Sequence, residues 1–78
     1  MKVLIYAMTS IGWRSYEVDF QEGVSIWHYL RKVPGLIGKR KTSKLLVRKL
    51  TEKGPVWVRA RTSVVLKKDE HIALAPKG

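Results

Sequence analysis

Val3-Leu4-Ile5-Tyr6-Ala7-Met8 is apolar at every position. An extended segment of that kind has no polar face, which predicts a strand flanked by neighbours or covered on both sides. The pattern then changes. Over residues 14–20, Tyr16, Val18 and Phe20 alternate with Ser15, Glu17 and Asp19. Strict alternation predicts a strand with one buried and one wet face. Residues 9–13, with Gly12 among them, read as a turn. The two runs are close enough to form a hairpin, and Gln21-Glu22-Gly23 ends it.

The period lengthens next. Ile26, Tyr29, Leu30 and Val33 are spaced i, i+3, i+4 and i+7, one face of a helix. Ser25 is placed to cap its start by accepting a backbone N–H bond. Arg31 and Lys32 sit near its end, where the helix dipole favours cations. Pro34-Gly35 stops it. The competing reading is a strand, because Val24, Ile26 and Trp27 are good strand formers. A helix this short depends on tertiary packing for its stability.

Residues 36–44, Leu-Ile-Gly-Lys-Arg-Lys-Thr-Ser-Lys, carry no sustained period and read as a loop. Leu45 to Leu50 and Val56 to Arg61 read as strands joined by a turn over Thr51 to Pro55. A polar turn at Lys67 to Glu70 precedes a last strand at His71 to Ala75, with Pro76 ending it. No internal repeat, linker or low-complexity tract stands out. Residues 1–78 are expected to form a single domain of α+β class. The expected architecture is a β-grasp-like mixed sheet of four to five strands with one short helix packed on one face. The other face is left to solvent or to a partner.

The tail, "TSVVLKKDEHIALAPKG", resembles the end of the ThiS/MoaD-like small sulfur carriers, which are ubiquitin-like β-grasp proteins. The segment "GVSIWHYLRKVPGL" is similar to their helix and its exit. The resemblance covers most of the chain in layout. It implies a β-grasp fold, and for a true carrier a C-terminal Gly-Gly whose carboxylate is activated by adenylation. The residues here end Pro76-Lys77-Gly78, with one glycine.

Charge adds more than composition does. Sixteen Lys and Arg face six Asp and Glu, a net charge of +10. So one-sided a charge favours polyanionic partners: nucleic acid (DNA or RNA), an acidic protein or an anionic surface. With no cysteine there is no disulfide framework and no thiolate chemistry. The apolar start breaks off at Thr9-Ser10, too soon for the core of a signal peptide, and no stretch approaches the ~20 apolar residues of a membrane span. A cytoplasmic location is the expectation.

Catalytic motifs are missing from the sequence. His28 and His71 have no ligand partner at i+3 or i+4, and no nucleophile elbow or phosphate-binding glycine loop occurs. Gly35 and Gly38 faintly resemble a GXXG loop, but such a loop joins two helices, and here a strand is expected next. The chain is therefore read as a non-enzyme without cofactor or metal.

The best binding candidate is the second hairpin. If Thr51 pairs with Val56, Arg48 faces Arg59, Leu50 faces Trp57 and Leu46 faces Arg61. Arg48, Trp57, Arg59 and Arg61 then share one face, with Leu46 and Leu50 among them. Leu45, Val47, Val56, Val58 and Ala60 take the other face with Lys49. The basic residues Lys39, Arg40, Lys41 and Lys44 lead into this strand. An aromatic ring among arginines can stack a base while the cations hold phosphate. Trp13 and Trp27 fit either core or surface. The expected function is nucleic-acid binding, mainly through the phosphate backbone. The alternatives are a ubiquitin-like adaptor docking an acidic protein, or a sulfur-carrier or modifier-like protein.

Overall fold

A computed structural model describes residues 1–77. It is a small α+β fold with one five-stranded mixed sheet and two short helices. The strands are β1 (Lys2–Thr9), β2 (Gly12–Asp19), β3 (Ser43–Thr51), β4 (Gly54–Arg59) and β5 (His71–Pro76). The helices α1 (Ile26–Leu30) and α2 (Leu36–Arg40) lie between β2 and β3 in the chain. Across the sheet the order is β2-β1-β5-β3-β4. Both hairpins are antiparallel, β1 and β5 run parallel, and β5 runs antiparallel to β3.

One face of the sheet holds the core. Val3, Ile5 and Ala7 of β1, Val18 of β2, Leu45 and Val47 of β3, and Ile72 and Leu74 of β5 are buried there. Ile26, Tyr29 and Leu30 of α1 cover them, joined by Leu36 of α2 and by Leu66. The spacing predicted for the helix is therefore the one that is buried, with Val33 packed at its margin. The Tyr29 hydroxyl is enclosed yet satisfied. It donates to the Gln21 carbonyl at 2.7 Å and accepts from the Gln21 N–H at 3.0 Å, fastening the exit of β2 to α1.

Three expectations need correction. Ser25 makes no side-chain cap. The first helical N–H groups are already satisfied by backbone, Ile26 donating to the Val64 carbonyl at 2.9 Å and Trp27 to that of Thr62 at 3.0 Å. The segment after β4 thus does the capping. Secondly, residues 36–40 are not loop but α2, so the sheet carries two short helices rather than one. Gly35 enters it at φ 87, a backbone conformation that favours glycine. Leu36 anchors it in the core, and Lys39 and Arg40 complement the dipole at its end. Gly38 lies inside this helix, so the pair of glycines frames no GXXG loop.

The third correction concerns the second hairpin. Its turn takes only Glu52 and Lys53, with Thr51 opposite Gly54. Arg48 therefore faces Trp57, and Arg59 faces Leu46. Gly54, at φ 108, closes the turn and belongs to the strand. The slip from the expected register is two residues. An even slip keeps every side chain on its predicted face. Pro55 is accommodated because β4 is an edge strand and lacks a neighbour on one side.

The first hairpin uses the same turn. Thr9 and Thr51 each donate their hydroxyl to the carbonyl of the closing glycine, Gly12 at 2.7 Å and Gly54 at 2.6 Å. Each threonine oxygen also accepts the N–H of the second turn residue, Ile11 or Lys53, at 3.3 Å. Gly12 sits at φ 114, close to Gly54. Once the turns are aligned, Lys2, Leu4, Thr9 and Gly12 match Lys44, Leu46, Thr51 and Gly54. The two halves of the sheet repeat a motif that the sequence, scanned without a register, does not reveal.

Candidate nucleic-acid interface

The helices cover one face of the sheet, so side chains of opposite parity line the other. The pairing register builds this open face row by row. One row runs Ser15, Tyr6, Ala73, Leu46, Arg59 from β2 to β4. Alongside it, Leu4 faces Glu17, and Arg48 lies between His71 and Trp57. On the other flank Met8 faces Trp13, and Lys44 faces Ala75.

Trp57 does not hang off the edge of the sheet. Its ring centroid lies 6.1 Å from that of Tyr6, edge to face. β3 and β5 separate the two strands, about 14 Å at ordinary strand spacing. Both side chains must lean inward over the sheet, and alanine at 73 gives them room. Beside this pair lies a shallow groove of about 360 Å³, lined by Tyr6, Trp13, Leu46, Trp57, Ala73 and Ala75. Trp13 remains 52% exposed and Trp57 44%. Neither Trp13 nor Trp27 is a core residue, since Trp27 is also exposed, on α1.

Charge is distributed unevenly around the groove. Two ion pairs occur among the described residues, Lys2 with Asp19 and Lys49 with Glu70. The first closes the open end of the β1–β2 hairpin at 2.6 Å. The hydrogen bond and the opposite charge hold the Asp19 carboxyl below its ordinary range and raise the Lys2 ammonium above its own. Lys44, Arg48 and Arg59 belong to neither pair. The Arg48 Nε is buried without a hydrogen-bond partner. Next to Arg48, the His71 Nδ1 accepts the Leu4 N–H at 3.0 Å. Burial, and then the Arg48 charge, push the His71 imidazole below its ordinary value, with Asp69 opposing. A neutral ring is what this acceptor role requires.

The sequence-predicted site is thus divided. Lys44, Arg48, Trp57 and Arg59 come together on the open face. Lys39 and Arg40 sit on α2, whose Leu36 is buried on the covered side, and Lys41 follows directly. Arg61 lies beyond the last residue of β4: the Ala60 N–H still reaches the Leu45 carbonyl of β3, and the Arg61 carbonyl then accepts the Val64 N–H in a turn. Tyr6, Trp13, Ala73 and Ala75 were missed. Their signal was parity: Leu4, Tyr6 and Met8 alternate with the buried Val3, Ile5 and Ala7, and a strand with two alanines on one side leaves a hollow there.

The helix layer has a smaller basic concavity at His28, Arg31 and Lys32, where the His28 Nε2 is buried without a partner. Among the described residues, no three His, Asp or Glu side chains are grouped to hold a metal ion, and no helix is long and apolar enough to cross a membrane. Gly78, on which any activation of the terminal carboxylate would act, lies outside the described residues. No family model, curated protein or solved structure matches the chain.

Proposed function

We propose that this chain is a nucleic-acid-binding protein, not an enzyme, and that the open face of its sheet holds the phosphate backbone. One observation carries this reading: Lys44, Arg48 and Arg59, in no ion pair among the described residues, stand on one face around exposed tryptophan rings. The +10 net charge supplies the long-range attraction. Lys39, Arg40 and Lys41, on and just after α2, add to the positive charge of the chain but stand apart from this face. We read the fold as β-grasp. The supporting features are the strand order, the parallel central pair of β1 and β5, and the helical connection between the two hairpins.

Released counterions make such binding fall steeply with salt, by a log–log slope of about 0.7–0.9 per phosphate neutralised. Titration against DNA and RNA over a range of salt concentrations tests this. The slope should fall by about one for each contact removed in Arg48→Ala and Arg59→Ala variants. Affinity that is flat between low and moderate salt rules the reading out.

A second reading has the groove behind it. Its lining is apolar, and an acidic protein segment with one apolar anchor would meet the same chemistry. In that case Arg48→Glu/Arg59→Glu abolishes a protein complex, and nucleic-acid affinity is weak from the outset.

A further inference from the structure

We infer that the groove on the open face takes an unpaired nucleobase, so that the ligand is single-stranded. This rests on the nucleic-acid reading and adds the class of strand. Cations alone hold single and double strands alike, because both present phosphate. The groove offers something a duplex cannot use. It is lined by Trp13, by Tyr6 and Trp57, whose rings meet edge to face, and by the smaller Ala73, Ala75 and Leu46. In a duplex the base faces are already stacked on one another. A single strand can turn a base out and lay it against an indole, an exchange that tolerates any base because every base has a π-face.

The positions of the charges fit the same ligand. Lys44 adjoins the groove on the Ala75 side, Arg59 stands opposite Leu46, and Arg48 stands opposite Trp57. A base laid in the groove against one of its aromatic rings leaves a flanking phosphate within reach of β3 and β4, where these three side chains stand. On β2 at the opposite edge this face carries Asp19, paired with Lys2, and Glu17, which is in no ion pair among the described residues. A strand crossing the groove is thus steered toward β3 and β4 by attraction on one side and repulsion on the other.

The experiment compares three ten-nucleotide probes carrying a fluorophore: oligo-dT, an abasic strand with the same phosphates, and a duplex. Anisotropy gives affinity and tryptophan emission reports stacking. The expected result is oligo-dT binding about 5- to 100-fold tighter than the abasic strand, with quenched emission. Ala75→Leu fills the groove without changing charge and should bring oligo-dT down to the abasic level. Trp13→Ala should do part of the same and serves if Ala75→Leu does not fold. Equal affinity for all three probes, without quenching, overturns the base pocket and leaves phosphate binding standing. Absence of binding to every probe overturns both readings and leaves the face to a protein.

Discussion

The two hairpins share a backbone and differ in chemistry. Each closes with Thr-x-x-Gly, and each flanks β5. Matched positions then diverge. Leu4 faces Glu17 in the first hairpin, whereas Leu46 faces Arg59 in the second. Tyr6 opposite Ser15 becomes Arg48 opposite Trp57. On the core face Ala7 becomes Lys49, whose ammonium reaches Glu70 at 3.0 Å. On the open face the first hairpin brings the acids Glu17 and Asp19, Asp19 paired with Lys2, and the second brings Lys44, Arg48 and Arg59, which are in no ion pair among the described residues. The turn sets where side chains stand. It does not set what they recognise: the second hairpin carries Lys44, Arg48 and Arg59, while Tyr6 and Trp13 of the first line the groove beside them.

Exchanging the charges is the largest perturbation of that contrast. Arg48→Ala/Arg59→Ala should lower nucleic-acid affinity at low salt at least about tenfold and flatten the salt slope by about two. Glu17→Arg should raise affinity modestly. Equal losses from both hairpins would remove the asymmetry. Next comes Glu70, which is 8% exposed and accepts both Lys49 at 3.0 Å and the Lys67 N–H at 2.8 Å. Glu70→Ala should cost about 2–3 kcal/mol in urea unfolding, because it strips partners from a backbone N–H and an ammonium. Adding Lys49→Ala, the residue that the first hairpin uses there, should recover part of the loss.

A smaller effect tests the shared turn. A Cβ added at Gly12 or Gly54 meets nothing within 4 Å, so the cost of alanine is conformational. Gly12→Ala and Gly54→Ala should each lose about 1–3 kcal/mol and agree closely, as their φ angles do. A large difference would show that the turns are not equivalent. The smallest effect is the pH response at His71. Its folded pKa is below the unfolded value of about 6.5, so the unfolded chain binds the proton first. The contribution is complete above pH 6.5 and declines as pH falls below it. Tm measured from pH 7.5 to 5 should drop, and His71→Gln should flatten that part of the profile.

The core was legible because burial imposes a period. Ile26, Tyr29 and Leu30 declared α1, and the alternation of Tyr16 with Val18 declared β2. The helix α2 was not legible, since a single turn held by Leu36 has no room for a period. The strand faces of the second hairpin could be read although its register could not. Counting Gly54 into the loop displaced the pairs by two without moving a residue across the sheet. The aromatic groove needed the order of the strands. Nothing local to Tyr6 or Trp57 says that their rings meet across two intervening strands.

The position of β5 has a consequence for how the chain folds. Both hairpins are local structures whose turns can form within microseconds. Neither completes a core, because the strand that joins them lies C-terminal to both. Leu4 bonds to His71 from 67 positions away, and the whole β1–β5 ladder has comparable separation. The entropy of closing that loop must be met before the central pairing rewards it. Folding of this small sheet should therefore be limited by the docking of β5. Substitutions at Ile72 or Leu74 should slow folding, while changes in the two turns should act mainly on how long the finished sheet survives.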